Sequence, residues 1–310
     1  MTRYGAFGYC LSVPDSLPLS LPPPGADPRG EIRIEFGSCR QWVSHCSGTF
    51  PERIGRVGYG RFVLDGESYI CIDIPDVARY TLHERQRILI DPYYPTRLSE
   101  IALYLTGFVL SFVAHSPGSL VFHGSAVCGT SGAQLLLGAQ GAGKSTTAAA
   151  LSLHGYRVIC DDSIPVEICS GSLVAYAGIP RPKLLPDAIG KLFPHKDKSF
   201  FAWDGVDKYH VDVEPGPSSA SVSGIIVLEP ADNTFLFTEV RGANKVAALK
   251  THLQLLRGID DAGQSLSALI SVASAVPVRR LIRPAGQECL DEVVAAVSGV
   301  LDAPMEEVRT

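Results

Sequence analysis

The sequence carries little charge and no concentration of positive charge. Only 19% of its 310 residues are Asp, Glu, Lys or Arg, and 27 basic residues against 32 acidic ones give a net charge of −5. It has no run of even four Lys or Arg residues, so it lacks the electrostatic footprint of proteins that bind duplex DNA or anionic membranes. We therefore expect neither nucleic acid nor a membrane among its partners.

Three other signals are missing. The eight cysteines form no C-x-x-C pair, which argues against a zinc site or a disulfide framework. The longest apolar run, residues 101–114, is a buried-helix candidate of 14 residues, well short of the roughly 20 that a membrane-crossing helix needs. Residues 1–12 contain no basic stretch followed by an apolar one, so we recognise no secretory signal and expect a cytoplasmic protein.

What is present is a large apolar content. Hydrophobic residues make up 46% of the chain, which excludes disordered and fibrous classes. At about 150 residues per domain, the length predicts roughly two domains. Residues 14–28 hold six prolines, which exclude a helix and favour an extended entry segment. Alternating apolar residues and turn signals then predict strands at 31–36, 61–64, 69–74 and 88–90.

We divide the chain into residues 1–95, a β-rich N-terminal lobe that could bind substrate, residues 96–117, a linking helix, and residues 118–310, a larger α/β domain. The helix is predicted over 99–113, with Ser99 as its N-cap. In the larger domain, turn signals predict two hairpins, 120–128 with 133–137 and 164–168 with 173–177. The remaining elements are helices at 144–154, 244–256, 266–275 and 288–300, and strands at 156–160, 224–229, 235–240 and 279–283.

The strongest motif is G-A-Q-G-A-G-K-S at residues 138–145, a full match to G-x-x-x-x-G-K-[ST] between a predicted strand and a predicted helix. Glycines let successive backbone amides surround an anion, Lys144 supplies charge for the β- and γ-phosphates, and the Ser145 hydroxyl can coordinate Mg²⁺. The alternative, a chance glycine-rich turn, fits this context poorly. The predicted nucleotide-binding residues are Gly138, Ala139, Gln140, Gly141, Ala142, Gly143, Lys144, Ser145 and Thr146.

Two adjacent acids, Asp161 and Asp162, follow the predicted strand 156–160. The carboxyl end of a strand beside a parallel neighbour is where open α/β sheets bind ligands. One carboxylate could hold Mg²⁺ while the other accepts the proton of an attacking hydroxyl. Adjacent side chains point to opposite sides of an extended strand, so both serve one site only if the strand ends in a turn there. A solvated strand end is the alternative.

His123 lies on the first arm of the hairpin whose second arm feeds the glycine-rich loop, residues 138–145. Topology alone places it near the phosphates. A functional histidine and a satisfied core histidine are equally good interpretations of this residue.

Three sequence segments and the predicted hairpin before the glycine-rich loop follow the pattern of a known family. The segments are V-F-H-G-S-A-V (121–127), G-A-Q-G-A-G-K-S-T (138–146) and R-V-I-C-D-D (157–162). In these features the chain resembles the HPr kinase/phosphorylase family over residues 118–300. The resemblance implies an α/β fold: a P-loop nucleotide-binding lobe of the HPr kinase C-terminal-domain type with a smaller β-rich N-terminal lobe. It also implies a serine kinase using ATP and Mg²⁺.

By the same resemblance, Asp161 activates the acceptor serine, Asp162 lies near the metal with Ser145, and His123 belongs to the active site. Basic residues downstream of the acids neutralise the transferring phosphate in the family. Arg181 and Lys183 are our candidates for such phosphate or substrate contacts. An exposed cationic loop is an equally good interpretation of these two residues.

The chain departs from the family pattern after the acids, where a Glu-Ile-Arg-Gly core is replaced by A-Y-A-G-I-P-R (175–181). It looks more like the stand-alone HPr-kinase-related proteins, some of which are tailoring kinases that phosphorylate a ribosomally made lasso precursor peptide. The expected partner is a peptide or small protein with an acceptor serine, and a homo-oligomer is left open. The alternatives are HPr kinase/phosphorylase of sugar-uptake regulation and a nucleotide-gated binding or regulatory protein without phosphoryl transfer.

Overall fold

The chain is a mixed α/β protein with several sheets. The structure, a computed structural model, describes residues 1–39, 50–83, 86–115, 118–194, 199–203, 206–284 and 289–303. Backbone contacts divide the chain into two compact units, Met1–Pro117 with Leu255–Ala262 and Gly118–Gln254 with Gly263–Thr310. The segment 96–117, expected as a linker, clusters with the first unit.

The first unit is built on an eight-stranded sheet in the order β1-β2-β3-β8-β7-β6-β5-β4. The β2–β3 and β3–β8 pairs are parallel and the others antiparallel. The strands predicted in this lobe are confirmed within β3, β5, β6 and β8. The strands are β1 (Thr2–Ala6), β2 (Tyr9–Val13), β3 (Glu31–Phe36), β4 (Glu52–Ile54), β5 (Val57–Leu64), β6 (Glu67–Ile74), β7 (Ala78–His83) and β8 (Arg87–Pro92).

The helix predicted over 99–113 is present as α1 (Leu98–Tyr104), a π-helical turn (Leu105–Val109) and α2 (Leu110–Ala114). Ser99 was predicted as the N-cap, and this was wrong: it lies inside the first turn, because the Arg97 carbonyl accepts the first helical hydrogen bond from the Ile101 amide at 3.1 Å. The buried Tyr80 hydroxyl donates to the Ile101 carbonyl at 3.0 Å, which joins this helix to the sheet of the first unit.

The second unit contains a seven-stranded sheet in the order β10-β9-β11-β12-β16-β18-β17, in which β10 also pairs with β16. The predicted hairpin before the glycine-rich loop is confirmed as the antiparallel pair β9–β10. The pairs β10–β16 and β16–β18 are parallel, so these three strands end at the same edge. The strands are β9 (Leu120–Gly129), β10 (Gly132–Gly138), β11 (Arg157–Cys169), β12 (Ser172–Tyr176), β16 (Ser219–Ala231), β17 (Leu236–Val240) and β18 (Val278–Pro284).

Helices cover both faces of this sheet. Because side chains alternate along a strand, Leu135 and Leu137 pack into one hydrophobic cluster with helices α5 and α6, while Leu136 packs into another with α3 and α7. The helices are α3 (Lys144–Leu153), α4 (Pro186–Leu192), α5 (Ala243–Lys250), α6 (Ala262–Ala275) and α7 (Leu290–Leu301). A small antiparallel sheet comprises β13 (Lys183–Leu184), β14 (Ser199–Trp203) and β15 (Val206–His210).

Two predictions for the second unit were wrong. The strand expected to end before the acids continues through them to Cys169, because β11 pairs antiparallel with β9 along most of its length. The helix expected over 244–256 ends at Lys250 because the chain then pairs with β9: the His123 amide donates to the His252 carbonyl at 2.9 Å. No helix in the described ranges is long and apolar enough to cross a membrane.

Candidate active site

The glycine-rich loop connects the end of β10 to the first residue of α3. Gly143 occupies the cap position of α3 with a φ of 91°, a region that favours glycine, and its carbonyl accepts the first helical hydrogen bond from the Thr147 amide at 2.8 Å. The tip of the loop, Ala139 to Gly141, is exposed. The unpaired amides at the start of α3 and the positive end of its dipole make this edge suited to an anion.

Lys144 folds back over the loop. Its Nζ donates to the carbonyls of Gly138 at 2.9 Å and Ala139 at 3.0 Å, and the residue is only 8% exposed. Burial lowers the pKa of this ammonium, an effect opposed by the carboxylates of Asp161 and Asp162. The side chain is thus held beside the acid pair, Asp161 and Asp162, at the mouth of the loop.

The first acid, Asp161, is buried and bonded on both carboxylate oxygens. Ser125 Oγ donates to Oδ1 at 2.6 Å, and Ser145 Oγ lies 2.9 Å from Oδ1 and 3.1 Å from Oδ2. The Lys183 amide donates to Oδ2 at 3.1 Å. Burial raises the pKa of Asp161 despite the hydrogen bond from Ser125. This carboxylate therefore faces the glycine-rich loop and not open solvent.

The second acid, Asp162, has different surroundings. Its Oδ2 lies 2.8 Å from Lys183 Nζ and its Oδ1 lies 3.2 Å from His123 Nδ1, and 38% of its side chain is exposed. Burial works to raise the pKa of Asp162, but Lys183 and then His123 outweigh it and hold the pKa well below its usual range. Asp162 is therefore an ionised carboxylate that solvent, or a substrate, can reach.

Both carboxylates reach one site although the strand does not end. Asp162 has a φ of 84°, an unusual backbone conformation that Asp tolerates better than most residues. This positive φ breaks the strict alternation of side chains between Asp161 and Asp162. Lys183 shows the result, because its amide bonds Asp161 while its ammonium bonds Asp162.

Four of the residues predicted for the site lie at the acid pair, and one, Arg181, bonds elsewhere. Lys144, Ser145 and Lys183 contact the acid pair or lie beside it, and His123 Nδ1 lies 3.1 Å from the Asp162 carbonyl as well as near its carboxylate. Arg181 is turned to Asp212 instead, with Nε 2.8 Å from Oδ1.

Three residues of this region were not predicted from the sequence. Ser125 lies opposite Asp161 in the β9–β11 register, which its presence in the quoted strand V-F-H-G-S-A-V could have suggested. His252 lies near enough to Lys144 and His123 that burial and then these two charges lower its pKa. Arg283 Nη2 donates to the Ala142 carbonyl at 2.9 Å from β18. The last two lie far along the chain and belong to no motif.

Comparisons with known proteins add little. No protein-family model matches the chain, and no curated protein matches it. Among solved structures, the Hpr(Ser) kinase/phosphatase from Coxiella burnetii is similar at a TM-score of 0.30 with 14% sequence identity, over 58% of this chain and 96% of that chain. At such a TM-score the likeness does not bear on activity.

The oxygen atoms at the loop suit a hard divalent cation. Ser145 Oγ and the Asp161 carboxylate are oxygen ligands of the kind that Mg²⁺ accepts, one or two at a time together with water and phosphate. Among the described residues, no three His, Cys, Asp or Glu side chains cluster into a metal site made by protein alone. Ser145 and Asp161 fit a metal ion that keeps water and phosphate among its ligands.

Proposed function

We propose that this chain is an ATP-dependent kinase that transfers the γ-phosphoryl group to a serine hydroxyl of a peptide or small protein. The observation that carries the proposal is the hydrogen bond from Ser145 to Asp161, because it joins the glycine-rich loop to the acid pair. Two carboxylates, Asp161 and Asp162, and the Lys183 ammonium lie at this side of the loop. Such a group of charges is typical of a site for phosphoryl transfer and not of a loop with a purely structural role.

ATP would bind with its phosphates at residues 138–146. The amides of the loop and the first turn of α3 would surround the β- and γ-phosphates, as the helix dipole favours. Lys144 already lies over the loop, bonded to two carbonyls that offer only partial negative charge, so phosphate oxygens would compete well for its ammonium.

Mg²⁺, when bound, would supply charge stabilisation between the β- and γ-phosphates. The sequence predicts Ser145 and Asp162 as its protein ligands. The contacts of Ser145 support a different pair, Ser145 with Asp161, since both oxygens of Asp161 lie within 3.1 Å of that hydroxyl. Ser145 and Asp161 would then hold the ion, and Asp161 would keep its hydrogen bonds from Ser125 and the Lys183 amide.

If Asp161 holds the metal ion, the catalytic base must be a different residue from the one that the sequence predicts. The sequence predicts that Asp161 deprotonates the acceptor, but Asp161 is buried beneath Ser125, Ser145 and the Lys183 amide. Asp162 is 38% exposed whereas Asp161 is covered, so access to the acceptor, and not basicity, supports Asp162 as the group that accepts the serine proton. The serine oxygen would then attack the γ-phosphorus, the bond to the leaving β–γ bridging oxygen would break, and ADP would depart. His123 would hold Asp162 in place.

The acceptor we propose is a lasso precursor peptide, and this rests on the likeness of the sequence to HPr-kinase-related tailoring proteins. The N-terminal lobe would help to hold it. The HPr protein of sugar-uptake regulation is the alternative acceptor. A nucleotide-gated binding protein, the third alternative, would bind ATP and release no phosphorylated product.

The test is transfer from [γ-³²P]ATP with Mg²⁺ to a panel of acceptors: a lasso precursor peptide, the same peptide with each serine changed to alanine, and HPr. Label on the peptide that disappears with one serine supports the full proposal. Label on HPr alone supports the alternative acceptor. Tight ATP binding with no labelled product, on any acceptor, would contradict a kinase.

A further inference from the structure

Arg283 is a buried arginine, 9% exposed, at the carboxyl end of β18. Strand β18 is parallel to β16, and β16 is parallel to β10, the strand that feeds the glycine-rich loop. The end of β18 therefore lies at the same edge as the loop, although Arg283 and Ala142 are 141 residues apart in sequence. No role in the site as proposed so far uses this cation.

The guanidinium of Arg283 joins the end of its own strand to the loop. Its Nη1 donates to the Pro284 carbonyl at 3.0 Å, and its Nη2 donates to the Ala142 carbonyl at 2.9 Å. A Cβ atom added to Gly143 would lie 2.5 Å from Nη2. The guanidinium thus packs directly against the backbone of Gly143, and a side chain at this position would force it to shift.

This contact controls the direction of one amide. The carbonyl of Ala142 and the N–H of Gly143 belong to the same planar trans peptide unit and point in opposite directions. Holding the carbonyl towards Arg283 therefore turns the Gly143 N–H to the other side. Glycine rotates with little steric cost, so the peptide between Ala142 and Gly143 would turn easily by itself. The hydrogen bond from Arg283 restricts this rotation.

The charge of Arg283 acts in the same direction. The guanidinium of Arg283 brings a positive charge to the loop. The Arg283 guanidinium lies beside the cap residue of α3, next to the positive end of the helix dipole, and contacts, from outside, the loop that Lys144 also contacts. Positive charges brought together in this way favour a ligand with several negative charges.

We propose that Arg283 is a positioning residue for polyphosphate: it directs the Gly143 amide into the glycine-rich loop and adds a fixed positive charge behind it. The inference rests on the proposed nucleotide-binding role of the loop. It concerns the phosphates and not the acceptor, so a chain without Arg283 would bind ATP poorly yet treat its peptide substrate as before.

The experiment measures binding of ATP and of inorganic tripolyphosphate by calorimetry to the full chain, in wild type, Arg283→Gln and Arg283→Lys. The matched control is Arg280→Gln on the same strand, which removes a half-exposed arginine paired with Glu229. We expect Arg283→Gln to raise the dissociation constants of both ligands about 10- to 100-fold, the factor that corresponds to one hydrogen bond made by a charged group. Lysine cannot bridge two carbonyls as a planar fork, so Arg283→Lys should weaken them about 10-fold.

Steady-state kinetics separate positioning from a merely structural role. The KM for ATP should rise with the dissociation constant, while kcat at saturating ATP and the KM for the acceptor stay close to those of Arg280→Gln. Should Arg283→Gln fail to fold, Arg283→Lys decides. Tripolyphosphate affinity in the Arg283 variants equal to that of the control would overturn the inference and leave the kinase proposal standing, whereas a wild-type chain that binds neither ligand would remove both.

Discussion

The Ser145 hydroxyl lies 2.9 and 3.1 Å from the two carboxylate oxygens of Asp161, across a separation of 16 residues in the sequence. Ser145 belongs to the glycine-rich loop and Asp161 to the middle of β11. One short contact therefore connects the two motifs from which function is inferred. The contact also distinguishes the two acids, because the Asp162 carboxylate bonds the Lys183 ammonium instead of the Ser145 hydroxyl.

The acids should respond differently to amide substitution. Asp162→Asn should lower kcat about 100- to 10,000-fold with ATP affinity unchanged, because it removes the base and keeps the loop. Asp161→Asn should instead raise the Mg²⁺ concentration needed for half-maximal transfer. Both are measured by transfer assays over a Mg²⁺ series, with Asp187→Asn, an exposed acid on α4, as the control. If Asp161→Asn abolishes transfer at every Mg²⁺ concentration while Asp162→Asn is active, Asp161 is the base, as the sequence predicts.

Ser125→Ala should destabilise the protein by about 2 kcal/mol, because it removes a buried hydrogen bond to a carboxylate. The same change should raise the pKa of Asp161 further, since the Ser125 hydrogen bond opposes the effect of burial. Chemical denaturation measures the first effect. The control is Ser271→Ala, whose exposed hydroxyl bonds only within α6. Equal stability of the two variants would show that the Ser125 contact contributes nothing.

His210 should make the protein sensitive to mild acid. Burial, then Lys183 and Arg181, lower the pKa of His210 to about 4, against an unfolded value of about 6.5. A lowered pKa means that the neutral form is favoured by folding, so its contribution is full above about pH 6.5 and is lost as the pH falls towards 4. The expected loss is about 3 kcal/mol.

The pH dependence of the free energy of unfolding measures this contribution. His210→Gln should flatten the decline between about pH 6.5 and pH 4, whereas His154→Gln, an exposed histidine after α3, should not. The same slope in both variants would contradict the role of His210.

Local features of the site were predictable from the sequence. The glycine-rich loop and its flanking strand and helix lie within one continuous segment, and their chemistry requires glycine, lysine and serine at fixed spacing. The hairpin before the loop was marked by its own turn residues. The elements that depend on neighbouring residues alone were therefore found.

Features set by distant pairing were not predictable. The strand carrying Asp161 and Asp162 continues because β9 offers it a partner, and no local signal shows that partner or the positive φ of Asp162. Arg283 reaches Ala142 only because β18 and β10 end at one edge. In the first unit, the parallel neighbours β2, β3 and β8 join segments that are far apart in sequence.

Lys144→Ala in the [γ-³²P]ATP assay shows whether phosphoryl transfer depends on the glycine-rich loop. We expect labelled peptide with the wild-type chain and a loss of at least about 100-fold with Lys144→Ala, because the ammonium bonded to Gly138 and Ala139 is the mobile cation of the loop. Lys250→Ala, which changes an exposed lysine at the end of α5, should match wild type. Transfer by Lys144→Ala at the wild-type rate would show that the loop does not act on the transferring phosphate.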